Sequence, residues 1–223
     1  MSHAIPRVCL GPVQNPVRGL LHGSAALAAA TLAVPLWRHA SCDASGRLAL
    51  LVFALSQSAL FATSALYHSA PWSPRWKVRM QRLDHSAIFV KIAGTLTPIL
   101  WLGADDGQRG VLLLAAWSAA ALGVARKLCE PRVCPRGTLP LMVGQACLVL
   151  PALGPFAQRF PQAAVQLLAA TAVLYLLGLA IFVTERPRLW PGIFSHHELF
   201  HVVTVLGSGA HYALALQYLA AAR

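Results

Sequence analysis

Acidic residues are scarce: Asp and Glu together number seven in 223 residues. Asp, Glu, Lys and Arg together make up only 11% of the chain. A soluble domain carries about 25% charged residues, so a solvated globular surface is excluded. Cysteine offers no framework either. Cys9, Cys42, Cys129, Cys134 and Cys147 form no Cys-x-x-Cys pair. Cys129 and Cys134 share a short basic loop with no second Cys/His pair beside them, which argues against a zinc knuckle and against a disulfide scaffold. Residues 1–18 are polar and interrupted by proline. They lack the apolar core of a cleavable signal peptide, so the first apolar segment is expected to remain as a span. There is no internal repeat and no low-complexity stretch beyond alanine-rich apolar segments.

What the chain has in quantity is hydrocarbon. Apolar residues make up 57% of it and the mean hydropathy is +0.60. Several runs approach the roughly 20 residues needed to cross a bilayer. The reading is an all-α integral membrane protein, a bundle of seven transmembrane helices over about 19–37, 48–67, 85–102, 111–125, 139–156, 163–183 and 196–220. Residues 1–18 form an N-terminal tail and 19–223 a single membrane domain. A basic loop holding Arg75, Lys77, Arg79 and Arg82 separates the second and third spans, and Asp105, Asp106 and Gly107 form a turn after the third.

The formal charge of +11 would suggest nucleic acid in a soluble protein. Here the basic residues alternate between loops instead, so no nucleic-acid partner is expected. Twelve lie in the N-terminal tail and the loops after the second, fourth and sixth spans, against five in the other loops and the C-terminal tail. The positive-inside rule then predicts a cytoplasmic N-terminus and an external C-terminus.

Polar groups inside the spans are costly and mark sites. His197 and His201 are four apart at the start of the last span. On a helix that spacing puts both imidazoles on one face, one turn from each other, where they can share a Zn²⁺ at about 2.0–2.1 Å. With the predicted topology, His68 at the end of the second span and Asp84 at the start of the third reach the same cytoplasmic edge. His68 is the natural third ligand. Gln57, Ser64 and His68 share one face; Asp84, Lys91 and Thr95 share another; His197, His201, Thr204, Ser208 and His211 form a third. These seams describe a lined cavity, with Thr95, Thr204 and Ser208 assigned to hydrogen bonds between helices. Lys91, two turns deeper than Asp84, is a candidate second partner for its carboxylate. His211 lies about 15 Å beyond His201 along the helix and is left out of the ligand set. His22 and His196 read as packing or interfacial groups, and His85 as a weak candidate. His197-Glu198-x-x-His201 also matches the HExxH pattern of zinc proteases, with Glu198 as general base.

These residues resemble a family. Ser64-Ala-Leu-Tyr-His68, Leu83-Asp84-His85-Ser86, Ala93-Gly94-Thr95-Leu96-Thr97-Pro98 and His197-Glu-Leu-Phe-His201 with a later His211 are similar to the hemolysin III family, which groups with the progestin and adiponectin receptors. Arg18-Gly-Leu-Leu-His22-Gly also resembles that family's first-span pattern. The resemblance implies seven helices in a bacterial inner (cell) membrane and a zinc ion on His68, His197 and His201. It places a water beside Asp84, with Ser64 close by. It also implies a zinc-dependent hydrolase of lipid amides, of the ceramidase kind. A membrane lipid with an acyl-amide or ceramide-like bond is then the expected partner. The alternatives are a receptor or membrane-homeostasis protein with structural zinc, a cytolysin, and the HExxH protease. The chain departs from the family pattern at Lys91, where an apolar residue is expected.

Overall fold

The computed structural model describes residues 9–10, 13–14, 16–129, 137–190 and 193–222. Cys134 lies outside them. Ahead of the helices, β1 (Cys9–Leu10) pairs antiparallel with β2 (Val13–Gln14). Seven helices follow among the described residues: α1 (Pro16–His39), α2 (Ala44–Ser69), α3 (Pro74–Gly103), α4 (Asp106–Cys129), α5 (Leu139–Arg159), α6 (Gln162–Thr184) and α7 (His196–Leu219). At 1.5 Å per residue the shortest, α5 with 21 residues, spans about 31 Å. Each is long and apolar enough to cross the roughly 30 Å hydrocarbon layer, so the chain is a multi-pass integral membrane protein.

All seven expected spans are present, and most run further than their apolar cores. Helix α1 starts at Pro16, so residues 16–18 of the expected tail are helical. The expected basic loop after α2 is a correction of substance: Arg75, Lys77, Arg79 and Arg82 form the opening turns of α3. Charge alone suggested a loop, but Pro74 stands at the first helical position, where its missing N–H costs nothing. The Ser73 carbonyl accepts from Lys77 N at 2.8 Å, and the intervening residues are good helix formers. The true turn is 70–73. Asp106 likewise opens α4 instead of standing in a turn. In α5, the ring of Pro151 removes a donor, and Cys147–Ala152 tightens to a 3₁₀ stretch between two α-helical pieces.

Consecutive helices pack against one another, and α1 also packs on α7, closing the bundle. Helix α3 is the central one: 61% of its membrane window is buried, against 22% for α4, α5 and α6. Its closeness to α2 depends on Gly94, where a Cβ would sit 2.0 Å from Ser56 Oγ. Leu20, Leu27, Val111, Leu114, Leu122, Val173 and Leu176 stand outward and exposed, the shell that lipid covers. At the far end of α7, the Ala220 carbonyl accepts from Ser41 N at 2.7 Å, tying it to the α1–α2 turn.

Candidate metal centre

The end of α2 and the start of α7 meet at one end of the bundle. His68 is the last basic residue of α2, and His197 and His201 lie on the first turns of α7. Ring centroids are 5.8 Å apart for His68–His197, 5.1 Å for His68–His201 and 4.7 Å for His197–His201. One nitrogen from each of the three lies within 4.8 Å of the others. His68 and His201 are buried and His197 is half-buried. This cluster can hold a metal ion.

The hydrogen bonding of His201 tests that fit. Its Nδ1 lies 2.8 Å from Nε2 of His22 on α1. Its Nε2 is buried and has no hydrogen-bond partner among the described residues. A buried, unpartnered nitrogen demands an explanation, and a ligand nitrogen oriented from behind by a second group supplies one. With Nε2 given to a metal, Nδ1 carries the proton and donates to His22 Nε2. His22 then keeps its own proton on Nδ1.

A second contact between the same helices lies one turn away. Arg18 Nε donates to Glu198 Oε1 at 2.7 Å, with both side chains buried. The other Glu198 oxygen accepts from Ser195 N at 2.9 Å, as in a capping box. Arg18 and His22 share a face of α1, and Glu198 and His201 share a face of α7. Glu198 therefore holds α1 against α7, with one carboxylate oxygen on each partner.

Asp84, on α3, is buried and hydrogen-bonds the side chain of Ser64, one turn before His68 on α2. The cation acting on its carboxylate is Lys77, whose Nζ donates to the Tyr67 carbonyl at 3.0 Å. Lys91 does not fill that place: its Nζ lies 3.7 Å from the ring centroid of Tyr175 on α6. The expected lined cavity is, at Gln57, Thr95 and Ser208, a direct weld. Gln57 Nε2 donates to Thr95 Oγ1 at 2.8 Å, and Ser208 Oγ donates to Gln57 Oε1 at 3.0 Å. His85, His196 and His211 stand outside the three-histidine cluster. Sequence reasoning missed His22 and Tyr175. The spacing Arg18-x-x-x-His22, two polar groups on one face of an apolar helix, was the available signal for the first.

Comparison with known proteins bears on this arrangement. The family described as haemolysin-III related matches residues 11–212. The chain belongs to this family. Within it, the haemolysin-III-type chain is 28% identical over 220 residues to Hemolysin-3 of Bacillus cereus, covering 98% of this chain and 97% of that one. It is 32% identical over 169 residues to the Hemolysin-3 homolog of Bacillus subtilis (strain 168), 75% of each. It is also 29% identical over 178 residues to the heptahelical transmembrane protein ADIPOR1 of Oryza sativa subsp. japonica, covering 73% of this chain and 47% of that one. The resemblance read from the haemolysin-III-type motifs, adiponectin-receptor-like relatives included, is thus borne out.

Proposed function

We propose that this protein is a zinc-dependent hydrolase of membrane lipid amides. The observation that carries the reading is the unpartnered Nε2 of His201 in a three-histidine cluster, one helical turn from the Ser64–Asp84 pair. Three imidazoles of a rigid bundle suit Zn²⁺ and leave a fourth position open. His68, His197 and His201 would hold the zinc, which would supply Lewis acidity toward a carbonyl and toward water. Asp84 takes a proton from the attacking water at a carboxylate oxygen and returns it to the leaving amine nitrogen. The Ser64 hydroxyl orients that carboxylate. His22 and the Arg18–Glu198 pair fix the orientation of α7 and so of two ligands. Glu198, with both oxygens engaged, is not the base in this scheme.

The alternation of basic loops favours a cytoplasmic N-terminus, which puts the cluster at the cytoplasmic edge of a bacterial inner membrane. At that depth an acyl amide of a ceramide-like lipid lies level with the histidines while its chains stay in hydrocarbon. A reporter fused after Arg223 should be active only outside the cytoplasm; activity inside would invert the topology. The deciding experiment is release of fatty acid from a ceramide-type lipid by purified, zinc-loaded protein, with a chelated control. Zinc retained without turnover on any lipid amide would favour a receptor or homeostasis protein with structural zinc. The relative's name, Hemolysin-3, favours a second reading, cytolysis. Lysis of red cells by purified protein, retained after chelation, would support it.

A further inference from the structure

Away from the histidine cluster the bundle contains a second polar region that hydrolysis does not use. Lys91 of α3 is 7% exposed. Its ammonium lies against the face of Tyr175. The buried acids among the described residues are Asp84 and Glu198, and both belong to the other region. Around Lys91, the neutral polar groups satisfy one another. Tyr175 hydroxyl lies 3.1 Å from Ser208 Oγ. Since Ser208 donates to Gln57 Oε1, Tyr175 is the donor to Ser208. Gln57 donates to Thr95, and Thr95 donates to the Lys91 carbonyl at 2.8 Å. Gly207 makes room for this, since a Cβ there would lie 2.9 Å from the Tyr175 ring.

Two groups are left over. One is the Lys91 ammonium, which among the described residues rests on a ring face. The other is His211, one turn beyond Ser208 on α7 and fully buried. Neither of its nitrogens has a hydrogen-bond partner among the described residues. Its ring packs on Phe53, 4.8 Å between centroids, and Phe53 is one turn from Gln57 on α2. Tyr175, beneath the Lys91 ammonium, reaches Ser208, one turn from His211. A buried cation without a counter-charge is costly at membrane depth, and a ring face offsets only part of that cost. Unpartnered buried nitrogens point to a missing partner. The two leftovers present N–H donors from different helices, α3 and α7, between aromatic walls. A carboxylate matches them, with one negative charge and two acceptor oxygens.

We propose that Lys91 and His211 form a binding site for one carboxylate inside the bundle, the head of an amphipathic acid. Lys91 is seven residues from Asp84 and His211 ten from His201, about 10 Å and 15 Å along their helices. These positions lie deeper in the bundle than the histidine cluster, and the proposal does not rest on the hydrolase reading. The carboxylate has two possible sources, a fatty acid from the bilayer or a small acid from water.

The test is thermal unfolding of the purified, zinc-loaded protein in detergent, titrated with laurate, dodecanol or acetate in separate series. Laurate should raise Tm saturably and dodecanol should not. Stabilisation by acetate as well would make the source aqueous; stabilisation by laurate alone would make it the bilayer. In Lys91→Met the laurate affinity should fall at least tenfold, in Lys91→Arg it should largely persist, and in His211→Phe it should fall. A single symmetric gel-filtration peak and a cooperative melt certify that each variant is folded. An equal response to laurate and dodecanol, an equal response to chloride, or an unchanged laurate affinity in Lys91→Met would overturn the proposal. Native mass spectrometry gives a second readout: a retained acid on the parent chain, absent from Lys91→Met.

Discussion

The two polar regions of this bundle use similar residues and reach opposite endings. At the histidine end, charge meets charge inside the protein, Arg18 on Glu198 and Lys77 near Asp84, while the imidazole of His22 backs that of His201. Deeper in, amides and hydroxyls are matched to one another while Lys91 and His211 meet no acid among the described residues. A region whose acids are each held by a cation has fixed geometry, which is what a metal site requires. A region with one cation to spare has fixed walls and an open valence. Membrane depth makes both kinds of arrangement expensive to keep without a use.

Substitutions can break this contrast, beginning with the strongest. His201→Ala removes a ligand from the closed region and should abolish stoichiometric metal, read as metal per chain by elemental analysis; full retention would dismiss the three-histidine set. Asp84→Asn should keep the metal while lipid-amide turnover falls by about 10²–10⁴-fold. Glu198→Gln takes away the carboxylate charge that Arg18 Nε holds. A buried pair broken on one side costs about 3–5 kcal/mol, so Tm should drop clearly while turnover per folded molecule survives. If turnover vanished instead and Asp84→Asn retained it, Glu198 would be the base and a protease-like mechanism would follow. His22→Ala is the mildest, since every ligand remains. Metal affinity should weaken about 10–100-fold in competition with a chelator; no change would reduce the His22–His201 contact to packing.

Much of the architecture was legible because lipid leaves the backbone few options. An apolar run of the right length has to be a helix, so all seven spans could be read. Their ends were harder. Arg75–Arg82 carries the charge of a loop, yet Pro74 and the helix-forming residues after it extend α3 beyond its apolar core. The histidine cluster was visible because two of its histidines share one helix at a spacing of four and topology brings His68 to them. His22 was read as a packing group, because the Arg18-x-x-x-His22 spacing marks a polar face but not the partner 179 residues later. Pairing Lys91 with Asp84 failed for a plain reason. Seven residues is two turns, about 10 Å, and a nearer aromatic ring claims the ammonium.

The clamp between the first and last helices also bears on how the molecule is made. Chains enter the membrane from the N-terminus as they are synthesised, so Arg18 and His22 arrive in the bilayer long before Glu198 and His201 exist. Until α7 is threaded, a guanidinium and an imidazole lie without their partners. Contacts that bridge so much sequence close late. Closure of the ring and completion of the histidine cluster therefore both wait for the last helix to arrive.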